Sequence, residues 1–249
     1  MNSEKLVLNR RHFLTMLGLT GTLTAMGITN LNPIEVAKDP AKAPAALGAI
    51  ATPQAGKVSS DEALKMLLDG NKRFVEGKQI HPHVGKEARD AAAKGQAPFA
   101  AIIGCSDSRV TPEILFDQGI GDIFTARTAG NIADDVVIGS IEYAVAVLGA
   151  SLIMVLGHER CGAVVAAVEG KPLPGRIGVL ADRIKPAADK AKAGQDVKDV
   201  VDLAVRENVK MTVQMLSQES EIFAAAIKAG KLKIVGARYD LDEVKVELL

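Results

Sequence analysis

Apolar and polar positions alternate between two periods along most of the chain. Leu64, Leu67, Leu68 and Phe74 fall at helical spacing behind Ser59-Ser60-Asp61-Glu62, so the spacing predicts an amphipathic helix over 60–76. Pro98 precedes a short continuous apolar run, Phe99 to Gly104, which reads as a strand buried on both faces. A short helix is expected from Pro112 to Phe116, then a strand at Ile123–Ala126 and a turn at Gly130-Asn131. Val136, Ile138, Ile141, Val145 and Leu148 give a helical period over 135–148. A second apolar run, Ala150 to Leu156, is the next strand, and a helix restarts over 162–169. The Lys- and Ala-rich segment 185–199 reads as a solvated helix or loop. Helical patterns over 199–217 and 219–229 precede a last clear strand, Leu232–Ala237. Strands alternating with helices predict an α/β fold: a mostly parallel central sheet flanked by helices on both faces.

The first part of the chain follows neither period. Residues 1–11 are polar and basic, ending in Asn9-Arg10-Arg11, and a weakly apolar run follows from His12 to about Met26 or Ile28. That is the layout of an export signal, and its brevity and its Thr and Gly content make it a poor membrane span. The arginine pair followed by x-Phe-Leu resembles a twin-arginine signal, which passes folded proteins to its own export machinery. Residues 1–30 are therefore expected to be the signal, with a disordered arm or a retained membrane anchor as the alternatives, 31–58 a flexible Ala/Pro-rich linker cleaved after Ala45 or Ala51, and 59–249 one domain. The mature protein is expected in the periplasm or otherwise exported. A chain of 249 residues with 30 basic and 30 acidic side chains argues against polyanion binding as its main business. With no Trp, two Tyr and six Phe it also lacks stacking platforms for single-stranded nucleic acid. Two cysteines exclude a disulfide-dense scaffold.

Both cysteines lie where strands end. Cys105-Ser106-Asp107-Ser108-Arg109 follows one predicted strand, and His158-Glu159-Arg160-Cys161-Gly162 follows another. In an open parallel sheet, ligands bind beyond the carboxyl ends of strands. Two thiolates and an imidazole would make three zinc ligands and leave a fourth position for water or substrate. A Cys105–Cys161 disulfide and a pair of inert buried thiols beside a satisfied core histidine are the alternatives. Asp107 suits the orientation of a metal-bound water, and Arg109 would keep that carboxylate ionised and away from the metal; a plain turn-capping ion pair is the other reading. Gly162 could offer its N–H to a bound anion or be only a turn glycine.

Taken together, these two motifs resemble the beta class of carbonic anhydrases. Gly70-Asn71-Lys72-Arg73-Phe74, Gln118 with Gly121-Asp122-Ile123-Phe124, Arg127-Thr128-Ala129-Gly130-Asn131, Ser140–Val145 and Ile234–Asp240 carry the resemblance over nearly all of 60–240. It implies a zinc lyase that hydrates carbon dioxide reversibly to bicarbonate and a proton by a zinc-bound hydroxide. Cys105, His158 and Cys161 would ligate Zn2+, with Asp107 and Arg109 as the dyad beside it. Gln96 would hydrogen-bond substrate, and Phe124, Ala129 and Tyr143 would line a narrow pocket, much of it at a dimer interface. The family fold adds an N-terminal helical arm that embraces a partner, so a homodimer or a higher even-numbered oligomer is expected. Some members build an inhibitory bicarbonate pocket on a Trp three residues before the first cysteine; that position is Ile102 here, and Arg127 alone does not rebuild the pocket. His81 and His83 are possible proton shuttles, with exposed bystanders as the plainer reading. The rival functions are a zinc enzyme acting on carbon disulfide or carbonyl sulfide and a non-enzymatic zinc or redox module; a nucleotide-binding domain lacks its glycine fingerprint.

Overall fold

A computed structural model describes residues 58–193 and 199–249. The expected signal, 1–30, and all of the expected linker but Val58 lie outside these residues. Helix α1 (Ser60–Val75) begins where the sequence places it: the Ser59 side chain accepts from Glu62 N at 3.2 Å, and acidic residues occupy the first turn. A short helix α2 (Lys86–Ala92), not foreseen, precedes strand β1 (Ala100–Cys105). Then come α3 (Pro112–Leu115), β2 (Ile123–Thr128), α4 (Asp135–Ala146), β3 (Leu152–His158) and α5 (Gly162–Glu169). The chain closes with α6 (Ile177–Ala193), α7 (Val200–Glu219), α8 (Glu221–Lys228), β4 (Lys233–Tyr239) and a short β5 (Val246–Leu248).

The sheet order is β2-β1-β3-β4-β5, parallel throughout except for the antiparallel edge strand β5. Side chains of a strand alternate between faces, and here both faces are covered, which is why β1 and β3 are buried along their whole length. Ile102, Leu152, Met154 and Leu156 pack on one side with Leu67 of α1 and with Leu115 and Phe116. Ile103, Ile153 and Val155 pack on the other with Ile141 of α4, Val209 and Leu216 of α7 and Phe223 of α8. Among the described residues no helix is long and apolar enough to cross a membrane.

Two expectations are corrected. Val136 is not on the buried face of α4 but 77% exposed; the face runs through Val137, Ile141 and Ala144 to Leu148, the spacing that a 3.6-residue turn requires. Residues 185–193 lie in a helix, as one of the two readings has it, but not in a merely solvated one, and Asp199 caps α7. That helix is α6, where Ala187, Ala188 and Ala191 continue the buried line of Ile184 against α5 and α7, while Lys185 and Asp189 pair outside. Small apolar residues at i, i+3, i+4 and i+7 carry little hydropathy, so the intervening lysines masked the stripe.

Candidate metal centre

Cys105 and His158 are the last residues of two neighbouring parallel strands, β1 and β3. Both strands run further than the hydropathy pattern indicated, because Cys105 pairs with Thr128 and His158 with Tyr239. Gly157, just before His158, is required by α7: a Cβ there would lie 2.7 Å from Val209 and 3.0 Å from Val205. After His158 the chain turns through Arg160, a non-glycine residue at φ 52°, into α5, whose N-cap is Cys161. Asp242 holds that turn by accepting from the Arg160 guanidinium at 3.0 and 2.7 Å.

This brings Cys105 Sγ, Cys161 Sγ and a His158 ring nitrogen within 4.8 Å of one another, all three residues being buried. The sulfurs are 3.9 Å apart and the cysteines are free. His158 Nδ1 lies 2.9 Å from the Glu159 carbonyl, an acceptor only, so Nδ1 carries the proton and Nε2 presents its lone pair. Nε2 is fully buried without a hydrogen-bond partner. A satisfied core histidine would not look like this; a buried lone pair facing two thiols is a ligand set for a soft divalent cation, and two sulfurs with one nitrogen suit zinc with a position left open. The Cys105 thiol is held well below its ordinary pKa by its hydrogen bond with Cys161, helped by His158 and by the N–H groups of Gly130 and Asp107, against the opposing effect of burial. Cys161 is pushed up by the same hydrogen bond and by burial. Gly130 N donates to Cys105 Sγ at 3.3 Å from a left-handed turn (φ 79°), and its carbonyl accepts from buried Asn208 at 3.0 Å.

Beside the three candidate ligands lies Asp107, with Oδ2 3.8 Å from His158 Nε2. Arg109 grips the carboxylate from three sides: Nε and the backbone N–H each donate to Oδ1 at 2.9 Å, and Nη2 donates to Oδ2 at 2.7 Å. The guanidinium and that N–H hold the Asp107 carboxyl far below the usual carboxylate range, against a smaller cost of burial. Gly162 opens α5 with open space where a Cβ would stand, and Ala129 sits between Thr128 and Gly130 at the same end of the sheet.

One chain leaves the other expected pocket residues elsewhere. Gln96 lines a 240 Å³ cleft with His83, Gly121 and Asp122, at the amino end of the sheet. That end is about 17 Å or more from Cys105 along an extended six-residue strand. Phe124 and Tyr143 pack together with ring centroids 6.4 Å apart, Phe124 standing opposite Ala101 rather than opposite Cys105. His81 and His83 are exposed; His83 Nδ1 lies 2.7 Å from Asp122 Oδ1, and the His81 backbone N–H donates to Asp117 at 3.0 Å. A second acidic group, Glu159, Asp240 and Asp242, is braced by Arg160 and Arg238 and is accounted for by those ion pairs. The residues that motif reading left without a role are Arg127, Gly130 and Asn208. Arg127 and Gly130 stand in the quoted Arg127–Asn131 run, but only a contact could show what they hold.

A family model described as carbonic anhydrase matches residues 100–246. The carbonic anhydrase of Mycolicibacterium smegmatis is 44% identical over 191 residues, covering 75% of this chain and 91% of its own length. Carbonic anhydrase 2 of Mycobacterium tuberculosis is 45% identical over 190 residues with the same coverage. Among solved structures, one of two tetrameric beta-carbonic anhydrases from Sordaria macrospora superposes with a TM-score of 0.60 at 27% identity, covering 75% of this chain and 96% of its own. The Coccomyxa beta-carbonic anhydrase in complex with acetazolamide gives a TM-score of 0.60 at 30% identity, covering 75% and 86%.

Proposed function

The chain belongs to the beta-class carbonic anhydrase family, and from that membership we propose how its own residues carry out the reversible hydration of carbon dioxide to bicarbonate and a proton. Cys105, His158 and Cys161 would hold the zinc of this lyase. Zinc, when bound, acts as a Lewis acid and lowers the pKa of a coordinated water toward about 7. Asp107 accepts a hydrogen bond from the attacking water and so turns an oxygen lone pair toward the substrate carbon. Arg109 keeps Asp107 ionised and engaged, so that the carboxylate would orient water rather than bind the metal itself. The Gly162 N–H, the first of α5 and at its positive end, would donate to a substrate oxygen as it gains charge. The observation that carries this reading is the buried, partnerless Nε2 of His158 facing two free thiols, with an arginine-held carboxylate 3.8 Å away.

The substrate pocket is completed by a second copy of the chain, in a homodimer or a larger even-numbered oligomer. Gln96, Phe124 and Tyr143 lie too far toward the amino end of the sheet to serve their own triad and act across the subunit boundary. Ile80, Val84, Ile114 and Ile120, all about half exposed or more, supply the apolar surface such a partner would cover. The tetrameric Sordaria macrospora relatives accord with this reading. Export through the twin-arginine route rests on Arg10-Arg11 and the weakly apolar run behind them. Changing both arginines to lysine in the full precursor should abolish its export; undiminished export would reject that assignment.

Zinc content and carbon dioxide hydration, measured on one signal-free sample across pH, test the central reading. One zinc per chain with rapid hydration is expected, as is loss of both in Cys161→Ser. A chain that hydrates carbon dioxide equally well without metal, or a Cys161→Ser variant that keeps its zinc, would refute the ligand assignment.

A further inference from the structure

Arg127 stands on β2, the strand beside β1, and its side chain reaches over the end of β1. Nε donates to the carbonyl oxygen of Cys105 at 2.8 Å, and Nη2 donates to the carbonyl oxygen of Asp107 at 2.7 Å. Those two residues are the proposed zinc ligand and the proposed water-orienting carboxylate, separated by Ser106 alone. We propose that Arg127 is a positioning residue: one planar guanidinium fixes the distance and angle between Cys105 Sγ and the Asp107 carboxylate by clamping both their carbonyls.

The local backbone shows why a clamp is needed there. Regular strand pairing ends at Cys105, and the segment then turns sharply, with Val110 N donating to Asp107 O at 3.0 Å and Asp107 N donating to Cys105 Sγ at 3.4 Å. Beyond Ser106 N, which donates to Thr128 O at 3.0 Å, no sheet bond fixes Ser106 or Asp107. The Asp107 side chain is held by Arg109, but Arg109 belongs to the same turn and moves with it. Arg127 is the tie between that turn and the rigid sheet. A guanidinium presents parallel N–H groups in a fixed fork and so sets two acceptors at once; a lysine ammonium, a point donor on a flexible stem, does not. Arg127 is exposed and is not part of the buried core, so its removal does not open a cavity.

The inference rests on the site assignment above, and its test separates the two. Arg127→Ala, Arg127→Lys and Asp107→Asn are compared with the parent at saturating zinc. Arg127→Ala is expected to lower kcat about 10- to 100-fold with little change in KM, and to speed zinc release to a chelator, at an unchanged melting temperature. Arg127→Lys should recover part of kcat, because one carbonyl regains a donor. Unchanged kcat in Arg127→Ala overturns the proposal, and Asp107→Asn then tells whether the site assignment falls with it: a large loss there leaves that assignment standing. A loss in Arg127→Ala that merely follows the unfolded fraction, or no recovery in Arg127→Lys, likewise overturns it.

Discussion

Asp107 shows how much chemistry one side chain can carry when its surroundings are set. Its carboxylate accepts three donors from Arg109 and still points an oxygen toward His158 Nε2. Arg109 thereby disfavours protonation of Asp107 and occupies one side of the carboxylate, which would also keep it from ligating a metal. Asp107→Asn should retain zinc while kcat falls about 100-fold, checked by metal analysis and stopped-flow hydration on the same sample. Ile102 bears on the same scale. It is fully buried in the sheet, where it offers no hydrogen-bond donor, and Arg127 is already engaged with two carbonyls. Bicarbonate should therefore inhibit by competition at the active site alone, with no cooperative component in the concentration dependence.

At the scale of elements, α7 is the part that most directly presses the site into shape. Val205 and Val209 pack where Gly157 lacks a side chain, and Asn208 on the same helix holds the Gly130 turn that donates to Cys105. Gly157→Ala should cost about 1–3 kcal/mol by overpacking and should weaken zinc binding, because His158 is the next residue. Chelator competition together with thermal unfolding reads both effects. A second junction ties α1 to the loop before α2. Asp117, its side chain wholly buried, accepts from Arg73 at 2.6 Å and from the backbone N–H groups of Ile80 and His81 at 3.0 Å. Burial alone would raise its pKa, but those two N–H groups and Arg73 together bring it below the ordinary carboxylate value. A carboxylate whose folded pKa is depressed stabilises fully above its unfolded pKa of about 3.9, and that stability is lost as pH falls through the folded value. Asp117→Asn, which keeps a residue tolerant of φ 46°, should thus be about 1–3 kcal/mol less stable near neutral pH. The gap should close below about pH 4, as denaturant titrations at several pH values would show.

The whole molecule converts a strand-end motif into a centre. Parallel strands β1 and β3 deliver Cys105 and His158 to the carboxyl end of the sheet, and the following turn brings Cys161 back to them. Gln96, Phe124 and Tyr143 lie toward the opposite, amino end, so if they serve the pocket, catalysis should belong to the oligomer. Dilution below the dimer dissociation constant should reduce turnover per zinc, followed by activity and sedimentation over one concentration series. Undiminished turnover in a demonstrated monomer would show that Gln96, Phe124 and Tyr143 are not needed from a partner.

Much of this protein is legible in its sequence. Two apolar periods specify the alternating elements, because buried parallel strands and half-buried helices impose different spacings on apolar residues. Cys105, His158 and Cys161 are readable as candidate ligands because the chain has only two cysteines and four histidines and these three stand at strand ends or in the turn that follows, while Asp107 and Arg109 are readable because they come directly after Cys105. Other features were not legible, each for a physical reason. The buried alanine stripe of α6 hides because small side chains add little to hydropathy. The Arg127 clamp hides because it acts on carbonyl oxygens, which every residue possesses. The place of Gln96 hides because sequence distance from Cys105 does not say that a six-residue strand separates the two ends of a sheet. The sequence by itself determined which donors are present and where along the chain they stand. Only the tertiary structure decided which of them meet, because meeting depends on strand order, on the packing of α7 against Gly157 and on backbone groups that carry no sequence signature.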